Sequence, residues 1–535
     1  MTRNRSLPAL TVTAAVLLAA GCSGSTSDSS ASDSGAGERP VVVSVTEGQV
    51  EDLLPGNSQN SNVDNAVFSP LTRVDPDTGD LENLVAESIE SEDQLNWTIT
   101  IGEGWTFHDG SLVTAQSFAD SWNLSADPSH ALDGNSRMAV FDGYEEMNPS
   151  GGGAPSADTL SGVRVVDDRT LEVTLNSPNS LLPYVLSGTA YSPIPAGAAD
   201  DLAAFATNPV GNGPFRVAEG GWSIGDQDIH LERYDDYAGP VAGVAEINLR
   251  VYQPTANPFT DLEAGQIDVA LVDGDDLIRA REDMPSQVVD VELPALMYLA
   301  FPTYDDRFAD QRIREAISLA IDREAIVDSL LSGIAEPATG IGPSGLVGAD
   351  RSECASCRFD PEQARQLLAE AGGWTGPLTL VTFQDSVNDR VLQAISNQVS
   401  ENLRLDEVEI VSQPIGQVYD ALRAEQAQGP TLLYAGVTYP HVYAMANALL
   451  ASGASLNLSG YDDATFTAML GEATAAQDPE DADSLAAAAA TYGLSSTPVA
   501  PLYYPTAGLV HSEDVEGTTH EFLGGVNLAG LTLRD

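Results

Sequence analysis

The residues whose type and spacing most suggest chemistry are two cysteines, Cys354 and Cys357, which form a C-x-x-C pair. Such a pair can be half of a zinc site, a thioredoxin-like redox centre or a short structural disulfide. A zinc site needs a second pair of ligands, and the nearest histidine downstream is His441. A redox pair usually opens a helix after a strand, whereas this one follows a loop rich in Gly and Ser. A disulfide that closes a surface loop is therefore the favoured interpretation, and no metal site is predicted.

The sequence lacks the residues and motifs that several other common chemistries require. All 23 positively charged residues are arginines, so no lysine can serve a P-loop or a pyridoxal Schiff base. The motifs H-E-x-x-H and G-x-S-x-G do not occur, and the six histidines do not cluster. The acidic run 75–80 resembles a calcium loop, but Asp80 holds its sixth position and Ala86 its twelfth. No catalytic residue, metal or cofactor is predicted. An exported glycoside hydrolase stays open as an alternative, because a carboxylate pair carries no motif.

The charge balance restricts the partners. The chain has 79 acidic and 23 basic residues, which gives a formal net charge of −56. Nucleic acids and anionic membrane surfaces are recognised by basic patches, so neither is expected as a partner. With 43% hydrophobic and 19% charged residues the composition is that of a globular protein. A chain of 535 residues is expected to fold into two or more domains.

The first 39 residues are predicted to be an export signal and a tether. Arg3 and Arg5 precede an apolar run at 9–20, which is too short to span a membrane. The segment 18–22, Leu-Ala-Ala-Gly-Cys, resembles the lipobox of bacterial lipoproteins. We therefore predict a signal peptide at 1–21, lipidation of Cys22 and a flexible tether at 22–39. The alternative is a plain signal peptide. The protein is expected to be exported and lipid-anchored at the outer face of the bacterial cell membrane.

Hydrophobic periodicity predicts a mixture of strands and helices. Strands are predicted at 41–45, 95–101, 163–166, 171–175 and 378–383, and extended chain at 498–504. Apolar spacings of three and four at 313–330 predict one amphipathic helix or a closely linked pair. A second helix is predicted to follow Asp360 as its N-cap, and an alanine run at 486–490 predicts a third. This mixture favours an α/β fold.

Six segments, taken in order, resemble the family 5 extracellular solute-binding proteins of ABC importers, the oligopeptide- and dipeptide-binding type. They are 84–99, 104–115 with Gly-Trp-Thr-Phe-His-Asp-Gly, 208–215 with Asn-Pro-Val-Gly-Asn-Gly-Pro-Phe, 262–268, 310–322 and 359–373. The resemblance covers roughly residues 40 to 535. Within these motifs His108 is expected to be a hydrogen-bonded structural residue. Asp109 and Asp322 are expected to serve as turn and helix-cap carboxylates.

The resemblance implies a two-lobed periplasmic-binding-protein-like fold of type II, with an extra subdomain and a ligand cleft between the lobes. The first lobe is expected at 40–290, with an inserted strand-rich subdomain at about 76–205. The second lobe is expected at 291–495, and residues 496–535 return to the first. Such proteins close on a ligand like a hinge. The implied partners are a small, peptide-like solute and the permease and ATPase subunits of an ABC importer, and the protein is expected to be a monomer.

The resemblance also implies where ligand contacts lie. Candidate contacts are residues after the first strand, residues that begin the second lobe, residues that end a strand there, and the segment where relatives hold a peptide's amino terminus: Asn57, Gln59, Asn60, Phe301, Thr303, Phe383, Gln384, Asp385, Thr438, Tyr439 and His441. Thr438 stands where an acidic residue is usual in the family, so a charge-assisted contact to an ammonium is missing at that position. A binding protein for a non-peptide solute, such as a sugar or a metal chelate, therefore remains an alternative. A receptor or surface chaperone that keeps the fold without serving transport is a further one.

Overall fold

The computed structural model describes residues 39–46, 50, 52–57, 60–75, 78–150, 153–253, 256–331, 333–522 and 525–534. The predicted signal peptide, Cys22 and Gln59 lie outside the described residues. From residue 39 onwards the chain forms one compact unit.

The elements up to residue 283 alternate between strands and short helices. They are β1 Val41–Thr46, α1 Ser61–Val67, β2 Thr72–Val74, β3 Leu81–Asn83, β4 Ala86–Ser91, β5 Asn96–Ile101, α2 Ala115–Ala126, α3 Tyr144–Met147, β6 Val163–Asp167, β7 Thr170–Thr174, α4 Leu182–Val185, α5 Leu202–Thr207, β8 Phe215–Val217, β9 Asp228–Arg233, β10 Glu246–Tyr252, α6 Pro258–Glu263, β11 Val269–Val272 and α7 Gly274–Asp283.

The elements after residue 283 include the longer helices. They are β12 Val288–Glu292, β13 Ala295–Ala300, α8 Gln311–Leu319, α9 Arg323–Ile326, β14 Ala335–Pro337, α10 Pro361–Glu370, β15 Leu378–Phe383, α11 Ser386–Leu403, β16 Val408–Gln413, α12 Ile415–Arg423, β17 Thr431–Gly436, α13 Val442–Leu450, α14 Ala464–Ala475, α15 Pro479–Ser495, β18 Val499–His511, β19 Val515–Glu516 and β20 Thr532–Leu533. A π-helical turn follows α9 at Val327–Leu331, and 3₁₀ turns include Ala355–Cys357.

A single long strand, β18, joins two halves of one large sheet. The strand order is β16-β15-β17-β13-β18-β11-β1-β10-β9-β8, with β12 and β14 also paired to β18. Residues 506–511 of β18 pair with β11 and β12, and residues 499–505 pair with β13 and β14. We call these halves, with the helices that cover them, the first lobe and the second lobe. The fold is thus α/β with two lobes.

The ligand-facing edges of the lobes are set by strand direction. In the first lobe β1 runs parallel to β10 and β11, and in the second lobe β15 runs parallel to β16 and β17. Because β11 and β13 are antiparallel to β18, the carboxyl ends of β11 and β17 both point towards the middle of that strand. Parallel α/β sheets present loops for ligands at their carboxyl ends. The cleft therefore lies between these two sets of loops.

A four-stranded antiparallel sheet, β4-β5-β7-β6, forms a separate small layer inserted in the first lobe. Its core is aromatic, with Trp122 stacked on Phe141 at 4.8 Å between ring centroids and Tyr191 edge-on to both. The alternation of Trp97, Ile99 and Ile101 buries one face of β5 against this core. The local pattern predicted from the sequence therefore holds here.

The other predicted elements are also confirmed, with small changes. The strand at 41–45 is β1, the strand at 378–383 is β15, and the apolar pattern at 313–330 is a linked pair, α8 and α9. Asp360 caps α10 by accepting from the Gln363 amide at 2.9 Å. The alanine run lies within α15. The extended chain at 498–504 becomes the longer strand β18, because both lobes pair with it.

Three residues of the sequence motifs have the structural roles that we predicted. His108 accepts from the Gly211 amide through Nδ1 at 3.2 Å, and its Nε2 lies 3.1 Å from the Gly213 carbonyl. Burial lowers the pKa of His108 to about 4. Asp109 accepts from the Ser111 amide in a turn, and Asp322 caps α9 through the Ala325 amide.

Two buried arginines fix the start of β18. Arg323 is 4% exposed and donates to the carbonyl of Pro501 at 2.6 Å and to the hydroxyl of Ser318 at 2.8 Å. Arg314 is 5% exposed and donates to the carbonyl of Thr497 at 2.9 Å. Burial lowers the pKa of Arg323 to about 9 and that of Arg314 to about 10, because desolvation disfavours the charged guanidinium.

The two cysteines are joined. Cys354 and Cys357 form a disulfide that closes one 3₁₀ turn on the second lobe. Among the residues that the structure describes, no group of three or more His, Cys, Asp or Glu side chains is arranged to hold a metal ion. In the same part of the chain, no helix is long and apolar enough to cross a membrane.

Candidate functional site

The connection from β15 to α11 places polar side chains at the cleft edge of the second lobe. Phe383 ends β15 and packs partly against the core, while Gln384 and Asp385 are exposed. The Gln384 amide donates to the Gln413 carbonyl at 2.9 Å, which keeps β15 and β16 together up to their ends. Asp385 is the N-cap of α11 and accepts from the amides of Val387 at 3.0 Å and Asn388 at 2.9 Å. This connection is open to solvent.

The connection from β17 to α13 lies beside it but is covered. Thr438 is exposed, Tyr439 is half-buried and His441 is fully buried. His441 is the N-cap of α13, because its Nδ1 accepts from the Tyr443 amide at 3.0 Å. Its proton is therefore on Nε2, which donates to the Asp483 carboxylate at 3.1 Å.

Residues of the first lobe cover this second connection. The ring of Tyr184 lies 6.0 Å from that of His441, edge to face. The Ser180 amide donates to the Thr474 carbonyl at 2.7 Å, which ties the same segment to α14. Burial, with Tyr443 and Tyr191 nearby, raises the pKa of the Tyr439 phenol. The two lobes are therefore in contact at an aromatic cluster around Tyr439 and His441.

The first-lobe residues that were predicted to contact the ligand make hydrogen bonds to neighbouring loops and helices of the same lobe. Asn57 donates from Nδ2 to the Asp52 carboxylate, and its Oδ1 accepts from the Asp133 amide at 2.8 Å. It thereby links the loop after β1 to the inserted subdomain. Asn60 is 8% exposed and caps α1 by accepting from the Asn62 and Val63 amides at 3.1 and 3.4 Å.

Phe301 and Thr303 lie apart from the other candidates. They follow the carboxyl end of β13, whereas the cleft is at its amino end, next to Gly436 of β17. Phe301 is fully buried and packs on Phe308, with ring centroids 6.4 Å apart. Thr303 donates from its hydroxyl to the Ser459 carbonyl at 2.9 Å. The structure thus brings Phe383 to Asp385 and Thr438 to His441 together, but leaves this pair at the opposite end of the lobe.

Three side chains near the ends of the cleft strands were not predicted as ligand contacts. Tyr434 is 45% exposed, and partial burial raises the pKa of its phenol. Asp273 directly follows β11, and burial, Asp276 and Asp385 raise its pKa. Tyr503 of β18 lies close to Asp385 as well. The alternation of residue types along β17 could have indicated from the sequence that Tyr434 is exposed. No local sequence pattern marks Asp273 or Tyr503.

Two small cavities lie in the second lobe, with volumes of about 270 and 290 Å³. The first is lined by strands β15 and β16, helix α12 and the loop before β17. The second lies beside Tyr304 and Gly460. None of the described candidate residues lines either cavity. The two cavities are therefore separate from the predicted ligand contacts.

Comparison with known proteins agrees with this arrangement. The family model for bacterial extracellular solute-binding proteins, family 5 middle, matches residues 80–455. The chain is 28% identical to the periplasmic oligopeptide-binding protein OppA of Escherichia coli strain K12 and 25% identical to OppA of Bacillus subtilis strain 168, in each case over 87% of both chains. The solved Escherichia coli murein tripeptide binding protein MppA has a TM-score of 0.72 at 20% identity, covering 92% of this chain and 98% of its own.

The family match extends over more than half of the chain and includes the inserted subdomain and most of the second lobe. The fold is also similar to that of the solved relative over nearly its whole length. This chain is therefore a member of family 5 of the bacterial extracellular solute-binding proteins.

Proposed function

We propose that the protein captures a peptide or peptide-like solute in the cleft between its lobes and delivers it to an ABC import permease driven by an ATPase. The observation that supports this best is the form of β17 at the cleft. Leu433, Ala435 and Val437 are buried in the core, whereas Tyr434, Gly436 and Thr438 are exposed. A strand with one face open to a cleft can receive an extended ligand.

The pairing of β17 supports the same proposal. It pairs with β13 along its whole length, but its ladder with β15 is confined, among the described residues, to Val381 and Thr431. Beyond Thr431 the edge of β17 on that side has no strand partner within the described part of the chain. An extended peptide adds main-chain hydrogen bonds to such an edge, and this gives affinity without selecting one side-chain sequence. The names of the oligopeptide-binding relatives agree with this class of solute.

The released ligand tests this proposal. Residues 40–535 should be expressed in an export-competent host, purified without refolding and denatured, and the released small molecules analysed by mass spectrometry. We expect a ladder of short peptides. A single non-peptide compound would overturn the peptide class and favour the sugar or chelate alternative. Turnover of a substrate on a glycoside or peptide panel would instead support the hydrolase alternative.

A variant at the open strand locates the site. Thr438→Trp adds bulk at an exposed position just after β17 and should reduce the released peptides about tenfold or more. Leu112→Trp is the control, because Leu112 is 68% exposed on the inserted subdomain. Unchanged peptide release from the Thr438 variant would contradict a ligand on this strand.

We further propose that Cys22 carries the lipid that holds the protein at the outer face of the membrane. The lipobox-like residues 18–22 and the Gly- and Ser-rich residues 23–38 support this proposal. Cys22→Ala should move the protein from the membrane fraction to the soluble or secreted fraction. The amino-terminal peptide of the unaltered protein should carry the mass of a lipid. We also propose the lobe boundaries 40–290, 291–495 and 496–535, which limited proteolysis can test.

A further inference from the structure

A recess at the cleft edge of the second lobe combines two tyrosines with two carboxylates. Its floor is a row of three residues in register on neighbouring strands, Tyr434 of β17, Met297 of β13 and Tyr503 of β18. Residues directly opposite each other in a sheet point to the same face. The two phenol side chains therefore flank Met297 on one side of the sheet, the side on which α11 packs.

Tyr503 is the deepest of these residues. Its side chain lies in the core with Met297, and the residue is only 5% exposed. Its hydroxyl makes no hydrogen bond to any described residue, and it is not among the polar atoms sealed from solvent. Buried hydroxyls in proteins almost always have a partner. A hydroxyl that is surrounded by protein but open at one side has room for a hydrogen bond from a ligand.

Tyr434 leans towards the mouth of the recess. A Cβ atom placed on Gly436 would lie 3.5 Å from the Tyr434 hydroxyl, so the phenol runs along the strand towards its carboxyl end. That end is the cleft side of β17. The absence of a side chain at Gly436 gives the ring this path. Tyr434 thus presents an aromatic surface to whatever enters beside β17.

The two carboxylates come from opposite lobes. Asp385 begins α11 and is close enough to Tyr503 to raise the pKa of that phenol, after burial. Asp273 occupies the N-cap position of α7 in the first lobe, but its side chain makes no capping hydrogen bond. Burial, then Asp276 and Asp385, raises the pKa of Asp273. Asp276 is paired with Arg279 at 3.2 Å, whereas no arginine among the described residues forms an ion pair with Asp273 or Asp385.

We infer that this recess binds a cationic group of the solute, an ammonium or a guanidinium, between Asp273 and Asp385 with the Tyr434 ring beside it. The inference rests on the proposed function in taking the cleft as the ligand site. Carboxylates supply charge-assisted hydrogen bonds, and a tyrosine face attracts a cation. A cation would also relieve the repulsion between the two lobes and favour their closure. Recognition of the cation would then take place away from Thr438, the position where the acidic residue usual in the family is missing.

Competition between matched peptides tests the inference. The probes are Lys-Ala-Ala, Ala-Lys-Ala and Ala-Ala-Lys, each acetylated at its amino terminus and paired with the same acetylated peptide carrying norleucine in place of lysine, so that the lysine side chain is the only ammonium. Native mass spectrometry of ligand-free protein gives the ratio of bound species. We expect at least one lysine peptide to bind about tenfold more tightly than its norleucine partner, because a desolvated charge-assisted contact is worth that much. Equal binding of every pair would overturn the inference.

Four variants locate the effect. Asp273→Asn and Asp385→Asn should each reduce the preference for the lysine peptides over the norleucine peptides about tenfold. Asp463→Asn is the control for Asp385, because Asp463 caps α14 in the same way, accepting from the Thr465 amide at 2.8 Å and the Phe466 amide at 2.9 Å. Asp306→Asn is the control for Asp273, since Asp306 is also exposed. Equal loss in the controls would overturn the assignment.

Small amines separate this inference from the proposed function. Thermal shifts with cadaverine, argininamide and tetramethylammonium should appear in the unaltered protein and disappear in the Asp273→Asn, Asp385→Asn double variant. If no peptide binds but these cations do, the peptide function fails and the cation site stands. If neutral and lysine peptides bind equally and the amines give no shift, the cation site fails and the peptide function stands.

Discussion

Two strand-to-helix connections in the second lobe are built in the same way but differ in their exposure to solvent. In each, a strand runs to the cleft and a helix begins shortly after it, capped by a side chain: Asp385 after β15 and His441 after β17. The first cap is exposed and the second is completely buried. The difference arises from packing around His441, because Asp483 of α15, the bridge to Val347 and Tyr184 of the first lobe all lie against it. Local geometry therefore does not decide which connection is open to a ligand. The packing of distant segments does.

The largest expected effect is at the buried cap. His441→Ala removes the acceptor for the Tyr443 amide and the partner of Asp483, and leaves a cavity. The loss of a buried cap with unsatisfied groups should lower the free energy of unfolding by about 3 kcal/mol. Chemical denaturation followed by tryptophan fluorescence measures this change. A loss below about 1 kcal/mol would show that the covered connection is no more important to stability than the open one.

The exposed cap should matter less. Asp385→Ala removes the acceptor for two amides at the start of α11, and an exposed N-cap is worth about 1 kcal/mol. Asp385→Asn keeps an acceptor and should cost only a few tenths of that. The same denaturation experiment compares both variants with His441→Ala. Equal losses of unfolding free energy in Asp385→Ala and His441→Ala would show that the two connections do not differ in their contribution to stability.

The contact between the lobes can be weakened without removing either cap. Tyr184→Leu keeps apolar bulk but removes the edge-to-face contact with His441, which is worth about 0.5–1.5 kcal/mol. We expect a shift towards a more open form, seen as a larger radius of gyration in solution scattering. Tyr144→Leu, within the inserted subdomain, is the control. An unchanged radius would show that this contact does not hold the lobes together.

The smallest expected effect is a pH dependence at Asp273, which directly follows β11 in the first lobe. Because burial, Asp276 and Asp385 raise the pKa of Asp273 above its ordinary 3.8, the folded state binds this proton more tightly than the unfolded state. The resulting stability is present below pH 3.8 and is lost as the pH rises through the raised value. Asp273→Asn should therefore raise the thermal midpoint slightly at about pH 8 and not at about pH 3. A rise of equal size at both pH values would show that the raised pKa of Asp273 is not the cause.

Much of the architecture was readable from local sequence patterns. The alternation of β5, the apolar run of β1 and the Asp360 cap of α10 each depend on neighbours within a few residues, and the structure has all three. The family resemblance likewise rests on short motifs whose glycines and carboxylates make local turns, such as the turn at Asp109. Short-range geometry of this kind is fixed by residue type, so it could be predicted.

The candidate site was predictable only in part. The sequence placed Phe383 to Asp385 and Thr438 to His441 after strands, and the structure brings these connections side by side. It could not show that Phe301 lies at the far end of β13, because strand direction within the sheet is a tertiary property. Asp273 and Tyr503 were missed for the same reason, because β11 and β13 come from distant parts of the chain and are joined only through β18.

The sequence by itself determined the α/β class, the family and the local caps and turns, because these follow from residue types at short spacing. Only the tertiary structure decided that β18 serves both lobes, that His441 is buried beside Tyr184 and Asp483, and that β11 and β15 both end towards the cleft. Each of those facts depends on which distant segments share a surface. Burial and like-charge repulsion arise only when the lobes come together, and no local pattern records them.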